Sequence, residues 1–216
     1  ILGNCAGNAV YGAALTDFIY MVDGIGRMTI TGPRVVREVI GEDISLEDLG
    51  GARVHARISG CCDFRCKSEE ECFQSMRKLL GFLPSHCDEL PPRSNPGDDP
   101  NRAVEGIGEI LPMDSKKTYD MHRIIEKIVD MGDFLEVKRE WAQNLITGFA
   151  RLDGYPVGIV ANQPRILGGA LTVDSSDKQA RFIRFCDSFN IPIVFLMDVP
   201  GYFPGKEQEY AGIIRH

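Results

Sequence analysis

The chain has 216 residues, with 24 lysines and arginines against 31 aspartates and glutamates, for a formal net charge of −7. Its 44% hydrophobic and 25% charged content is globular and excludes wholesale disorder, collagen and coiled coil, while the acidic balance argues against a nucleic-acid protein, which needs a basic face. No run of about 18 apolar residues exists to form a transmembrane helix, and the longest apolar stretch, Ile191 to Met197, has the length of a strand. The sequence opens at Ile1 without the basic n-region of a signal peptide and stops at His216 inside a helix-like pattern, so an internal piece of a longer protein is expected.

Along the chain, Asn4-Cys-Ala-Gly-Asn-Ala-Val-Tyr11 crowds small residues into a segment that opens a helix. Small side chains let a ligand approach the backbone, and a helix start offers free N–H groups, although close packing alone produces the same pattern. Phe18 to Val22 and Met28 to Thr31 read as strands. Pro33 suits the first position of a helix carrying an apolar stripe of Val35, Val36, Val39 and Ile40. Ser68-Glu-Glu-Glu71 has the pattern of a capping box, followed by Cys72, Phe73, Met76, Leu79 and Leu80 at helical spacing.

Residues 86 to 115 hold five prolines, seven acids and only two bases, a composition that suits a linker with little packed core. A domain boundary is expected there, with domains at 1–90 and 116–216 around a linker at 91–115. Beyond it, Met121, Ile124, Ile125, Ile128 and Val129 mark a helix with one buried face, ended by Gly132. Leu145 to Leu152 and Tyr155 to Val160 flank the hairpin signal Asp153-Gly154. Ser175-Ser-Asp177 starts a helix that turns Ala180, Phe182, Ile183 and Cys186 inward. The run Ile191 to Met197 then reads as a strand buried on both faces. Helix, strand, the loop Asp198 to Gly205, and a helix from Glu207 make a βα unit of an α/β fold, in which ligands bind beyond the carboxyl ends of the strands.

The seven cysteines (5, 61, 62, 66, 72, 87 and 186) are odd in number and unevenly spaced, which favours reduced thiols in a cytosolic protein. Cys62 and Cys66 followed by Cys72, with His55 and His86 as the nearest imidazoles, could be read as a zinc cluster. A structural zinc site uses paired knuckles and only one pair is present, so ordinary packed thiols and no metal are expected. Serine-hydrolase, Walker, zincin and dinucleotide fingerprints are absent. Of the four histidines, His122 lies in the amphipathic helix and reads as solvent-facing, so no Ser–His–Asp arrangement can be argued. Chemistry here would rest on backbone donors, with the reactive group on a cofactor or substrate.

Several segments, taken in order, carry a resemblance: Cys5 to Tyr11 with Ala14-Leu-Thr-Asp-Phe18, Thr29 to Pro33, Glu47 to Ala52, and Val160-Ala-Asn-Gln-Pro164. The strongest are Ala180 to Pro192 and Asp198 to Gly205 with Gln208 to His216. Nearly end to end, the chain resembles the carboxyltransferase (β) subunits of biotin-dependent acyl-CoA carboxylases of the propionyl-CoA carboxylase type, and those of methylmalonyl-CoA decarboxylases.

That resemblance implies two crotonase-like α/β domains, both incomplete in this chain, with residues 1–90 the back of an N-terminal domain and 116–216 the front of a C-terminal one. It implies carboxyl transfer between carboxybiotin on a carrier protein and the α carbon of a short-chain acyl-CoA such as propionyl-CoA or acetyl-CoA, through a thioester enolate. The backbone N–H groups of Gly7 and Asn8 correspond to the oxyanion hole, and preorganised donors there stabilise the developing charge by about 2.7–4 kcal/mol each. The biotin system accepts the proton, so no side-chain base is required.

By the same resemblance Ala6 and Tyr11 are expected to bind the substrate or biotin. Val199, Pro200, Gly201, Tyr202, Pro204 and Gly205, with Gln208 and Tyr210 at the next helix start, match the motif near the biotin side. The implied partners are a biotin carrier protein, a biotin carboxylase subunit and further copies of the chain in a hexamer, in the cytoplasm, without nucleic acid, and with a membrane involved only indirectly if a decarboxylase pump is built. One departure is Asn8, where the family has glycine; it keeps the N–H but adds bulk beside the thioester. The alternatives are the transferase subunit of a sodium-pumping decarboxylase, a crotonase-fold hydratase or isomerase using a side-chain acid near the hole, and a non-catalytic relative.

Overall fold

A computed structural model describes residues 1–114 and 117–216. Two compact units make up the chain: Ile1–Lys78 joined by Lys138–Trp141, and Leu79–Val137 with Ala142–His216.

In chain order the first unit carries β1 (Asn4–Ala6), α1 (Asn8–Ala14), β2 (Tyr20–Val22), β3 (Arg27–Thr29), α2 (Pro33–Ile40), α3 (Leu46–Gly50), α4 (Ala52–Arg57), β4 (Phe64–Cys66) and α5 (Glu69–Leu80), whose last two residues pass into the second unit. Both strand pairs, β1 with β3 and β2 with β4, are parallel, which requires the intervening helices as crossovers. Ile19, Met21, Met28, Ala52, Ala56 and Cys62 form the core. Gly50 brings α3 against the backbone of β3, because a Cβ there would overlap the Met28 carbonyl. Pro33 occupies the start of α2 as the sequence indicates, yet no residue of that helix is buried, and Val35, Val39 and Ile40 of its stripe face outward. Ser68 caps α5, its hydroxyl accepting from Glu71 N–H at 3.2 Å, while the Glu71 carboxylate reaches back to Lys67 N–H at 2.8 Å.

The segment Lys138–Trp141 returns to this unit through a buried ion pair. Lys138 Nζ lies 3.0 Å from Asp63 Oδ1, and Asp63 Oδ2 accepts from Ile19 N–H at 2.7 Å. Lys138 Nζ also donates to the Gly60 carbonyl. Glu140 joins Arg57 and Arg65 at 2.5 and 2.6 Å, and Trp141 lies flat on Gly60, where no side chain would fit.

The second unit holds α6 (Met121–Ile128), β5 (Leu135–Val137), β6 (Leu145–Leu152), β7 (Tyr155–Asn162), α7 (Val173–Ser188), β8 (Ile193–Leu196) and α8 (Lys206–Ala211). Its sheet runs β5-β6-β7-β8, antiparallel up to β7 and parallel from β7 to β8. Asp153 and Gly154 both have positive φ (51° and 75°), which makes the tight hairpin that their sequence signals. From α6, Met121, Ile125 and Val129 pack on Ile146, Ala150, Val157 and Ile159, so the stripe meets the sheet as its spacing requires. Gly158 lets α7 approach β7, since a Cβ there would lie 2.8 Å from the Cys186 sulfur and 3.1 Å from Phe182.

Three expectations are corrected in this unit. The helix expected from Ser175 begins at Val173, because Thr172 and Ser175 form a reciprocal cap ahead of it. Within the described residues the run Ile191–Met197 is not buried on both faces: β8 is the last strand of their sheet, with Val194 and Leu196 packed inward but Phe195 and Met197 47% and 76% exposed. The proline- and acid-rich stretch has only Ile110 buried between residues 86 and 114, yet it is no free tether. Arg93 pairs with Asp153 at 2.7 Å, Ser94 N–H donates to the Gly154 carbonyl, and Arg102 donates to the Lys127 carbonyl. Ser115, at its end, lies outside the described residues.

Candidate active site

In the first unit, the turn from β1 into α1 is set by Gly7, whose φ 60° and ψ −131° belong to a region only glycine occupies without strain. Asn8 follows with ordinary negative φ as the first helical residue, so its side chain carries no backbone penalty. The expectation that Gly7 and Asn8 both present free N–H groups needs correction. Gly7 N–H donates to the Thr29 carbonyl at 2.9 Å and extends the β1–β3 ladder. The next donors, Asn8 and Ala9 N–H, have no carbonyl in their own helix to bond, as at any helix start, and the positive end of the helix dipole faces the same way. Ala6 and Asn8 are exposed, and Tyr11 is 57% exposed one turn on. No acid lies in the first turn of α1. Beside the carboxyl end of α1, an apolar cavity of about 350 Å³ is lined by Ala13, Phe18, Tyr20, Phe73 and Met76.

In the second unit the loop after β8 is tied down by backbone and side-chain bonds. Leu171 N–H donates to the Gly201 carbonyl at 3.0 Å and Phe203 N–H to the Leu171 carbonyl at 2.7 Å, pinning Gly201 and Tyr202 against the entry to α7. Gly201 and Gly205 both have φ 136°, open only to glycine, and Gly205 precedes α8. Val199, Pro200, Tyr202 and Pro204 remain exposed on this frame, as does Tyr210, with Lys206 Nζ 5.1 Å above its ring. The Gln208 side-chain oxygen accepts from Val173 N–H at 2.8 Å and so holds the start of α7.

Several polar residues that the sequence did not offer as site candidates surround the carboxyl ends of β7 and β8. Asp198 N–H meets Asn162 Oδ1 at 3.4 Å, and Asn162 Nδ2 donates to the Gly169 carbonyl. Tyr119 donates its hydroxyl to Asp198 at 2.7 Å; burial and then this carboxylate push the phenol up to about 12. His122, read as solvent-facing, is instead half-buried between Asp120 at 2.9 Å and Glu136 at 3.0 Å, and the Glu136 contact first of all raises its pKa. Burial alone would raise Asp120, but the Gln163 carboxamide and His122 hold it down to about 2. Lys178, 2% exposed within α7, donates to the Leu145 carbonyl at 2.6 Å. Among the described residues, no group of His, Cys, Asp and Glu side chains is arranged to hold a metal ion.

The carboxyl transferase domain model matches residues 1–216. The chain belongs to the carboxyl transferase domain family. It is 52% identical to the methylmalonyl-CoA decarboxylase subunit alpha of Veillonella parvula and 50% identical to the carboxyltransferase subunit of propionyl-CoA carboxylase from Haloferax mediterranei, in each case over all 216 residues and 42% of the relative. The solved 12S transcarboxylase structure, described as a hexamer assembly with hydrolysed methylmalonyl-coenzyme A bound, superposes with TM-score 0.96 at 50% identity, covering 100% of this chain and 42% of that one. The chain thus spans about two-fifths of the length of these relatives. Its fold is the crotonase-like α/β fold of the carboxyltransferases. None of the helices among the described residues is long and apolar enough to cross a membrane.

Proposed function

We propose that the protein containing this chain transfers a carboxyl group between carboxybiotin on a carrier protein and the α carbon of a short-chain acyl-CoA such as propionyl-CoA. The observation that carries the reading is the family match from the first residue to the last, with relatives that include carboxylase and decarboxylase subunits. Residues 1–90 then serve as the back of an N-terminal carboxyltransferase domain and residues 116–216 as the front of a C-terminal one. A biotin carboxylase subunit and a biotin carrier are the partners, in a homo-hexamer like the one for which the 12S relative is described. We place it in the cytoplasm, where cysteines at such uneven spacing stay reduced.

The start of α1 fits a thioester oxygen. Loss of a proton or of carboxylate at the α carbon builds negative charge on that oxygen as an enolate. The N–H groups of Asn8 and Ala9, which have no carbonyl in their own helix to bond, are in place before the charge appears, and no acid in the first turn opposes it. Gly7 sets the turn, while its own N–H anchors that turn to β3. Biotin, when bound, supplies or receives the carboxyl group. The framed loop, with Val199, Tyr202 and Tyr210 exposed and Gly201 and Gly205 free of side chains, offers an apolar, donor-bearing surface for its ring system.

The 52% identity to a methylmalonyl-CoA decarboxylase subunit favours a second reading, in which the same half-reaction runs backwards in a sodium-pumping complex. A hydratase or isomerase would need a side-chain acid at the hole, which the first turn of α1 lacks.

The deciding assay is decarboxylation of malonyl- or methylmalonyl-CoA by the full-length protein, with and without free biotin or biotinylated carrier. Turnover that depends on biotin supports the transferase, and turnover without biotin overturns it. Asn8→Pro tests the hole itself, since proline suits the first helical position and removes only the N–H. A loss of about 10²–10³ in kcat is expected, while Asn8→Gly, which keeps the N–H, should retain activity.

A further inference from the structure

We propose that Tyr119 is a positioning residue for the biotin side of the site, its hydroxyl fixing the start of the loop after β8 through Asp198. This role rests on the carboxyltransferase reading above and deepens it. Tyr119 stands directly ahead of Asp120, the residue that caps α6, and its side chain packs against the core cluster that includes Ile125, Ile146 and Ile159. The ring is therefore held by the core, while its hydroxyl reaches 2.7 Å to Asp198 Oδ2. Asp198 opens the loop, two residues beyond the end of β8.

The far parts of the loop have their own anchors. Gln208 is bonded to Val173, and Leu171 bonds both the Gly201 carbonyl and Phe203 N–H. At the start of the loop the backbone is held more loosely. Asp198 N–H makes a long 3.4 Å contact with Asn162 Oδ1, and its carbonyl lies against Gly169, where a Cβ would fall 2.6 Å away. Val199 and Pro200 follow, and proline has no N–H to anchor. Gly201 comes next at φ 136°, with glycine's wide conformational freedom. The short bond from the phenol to a carboxylate is the stronger contact at Asp198. It fixes the direction in which Val199 and Pro200, both offered for biotin, leave the sheet.

The neighbouring residue extends the same hold. Asp120 accepts from Gln163 Nε2 at 2.8 Å and from Arg165 at 3.1 Å, both just beyond β7. Tyr119 and Asp120 thus bridge the carboxyl ends of the two parallel strands, the place where ligands bind in such sheets. Burial and then Asp198 push the phenol up to about 12, so it remains a donor throughout the neutral range.

The test is decarboxylation of methylmalonyl-CoA by the full-length protein with free biotin and the CoA ester titrated separately. Tyr119→Phe keeps the packed ring and removes the donor. It should lower kcat/KM for biotin by about tenfold, the size of one hydrogen bond to a charged acceptor, chiefly through KM. The KM for methylmalonyl-CoA should stay within about twofold, a split that general unfolding would not produce. Asp198→Ala should cost about the same, and Tyr119→Phe/Asp198→Ala no more than either, because both act through one contact. Asp198→Asn, whose carboxamide oxygen still accepts from the phenol, should retain most of the biotin KM. An unchanged biotin KM in Tyr119→Phe, a parallel rise in the KM for methylmalonyl-CoA, or additive losses in the double variant would each overturn the assignment while biotin-dependent turnover of the unsubstituted protein leaves the carboxyltransferase reading standing. Absence of that turnover in the unsubstituted protein would overturn the reading and the assignment together.

Discussion

Replacing Lys138 with methionine removes the cation from a pair whose side chains are 7% and 2% exposed, and leaves the Asp63 carboxylate with Ile19 N–H as a remaining donor. Breaking a buried ion pair from one side typically costs about 3–5 kcal/mol, because the surviving charge stays desolvated. The double variant Asp63→Asn/Lys138→Met behaves differently. Its carboxamide oxygen still accepts from Ile19, and no charge is buried. The double variant should therefore be at least about 2 kcal/mol more stable than Lys138→Met alone. The readout is native-state hydrogen exchange in the full-length protein, followed at residues 60–66 and 138–141, which reports local opening without requiring global reversibility. Lys138→Met should accelerate exchange there by about two to three and a half orders of magnitude, since each 1.4 kcal/mol is about tenfold. If the two single substitutions add in the double variant, the pair is not what holds Lys138–Trp141 to the first unit.

Two other predictions concern the second unit. Gly158→Ala should destabilise it by about 1–3 kcal/mol, because the new methyl meets Cys186 and Phe182; Gly158→Ala/Cys186→Ala should recover much of that by making room, as read by thermal unfolding. The link between α6 and β5 should depend on pH with a definite sign. His122 has a raised folded pKa, so the stability it contributes is full below about pH 6.5 and is lost as pH rises through the folded value. Asp120, held down to about 2, contributes stability above about pH 3.9 that is lost as pH falls toward 2. Protection factors at residues 120–128, with the base-catalysed rise of intrinsic exchange divided out, should therefore fall as pH rises above about 6.5, and His122→Gln should flatten that fall; a flat wild-type protection profile would show that the Glu136 contact does not charge the imidazole.

What could be read from the sequence was mostly local. The hairpin at Asp153-Gly154 was legible because both positions need positive φ, and few residue pairs supply it. The Ser68 cap and the stripe of α6 were legible for the same reason, since their partners lie within a few residues. The start of α7 was misplaced because Thr172 and Ser175 cap each other through hydroxyls rather than through the usual glutamate at the third position.

The site follows the same division. Element order alone makes the loop after β8 a candidate, since a strand followed by glycine and proline lies at the carboxyl end of a parallel pair. Its internal bonds were not legible. Gln208 reaches Val173 across 35 residues, and Tyr119 reaches Asp198 across 79, so no spacing rule connects them. At Gly7 the deciding contact is again distant, for the Thr29 carbonyl claims the N–H that the motif alone would leave free. The same geometry bears on Asn8, where the resemblance implies a second glycine. The positive φ of the turn falls entirely on Gly7, and the next residue is already helical, where any side chain but proline keeps its N–H. Substitution at position 8 therefore changes the bulk beside the helix start while its backbone donor stays in place, which is why Asn8→Gly and Asn8→Pro should separate so widely in turnover.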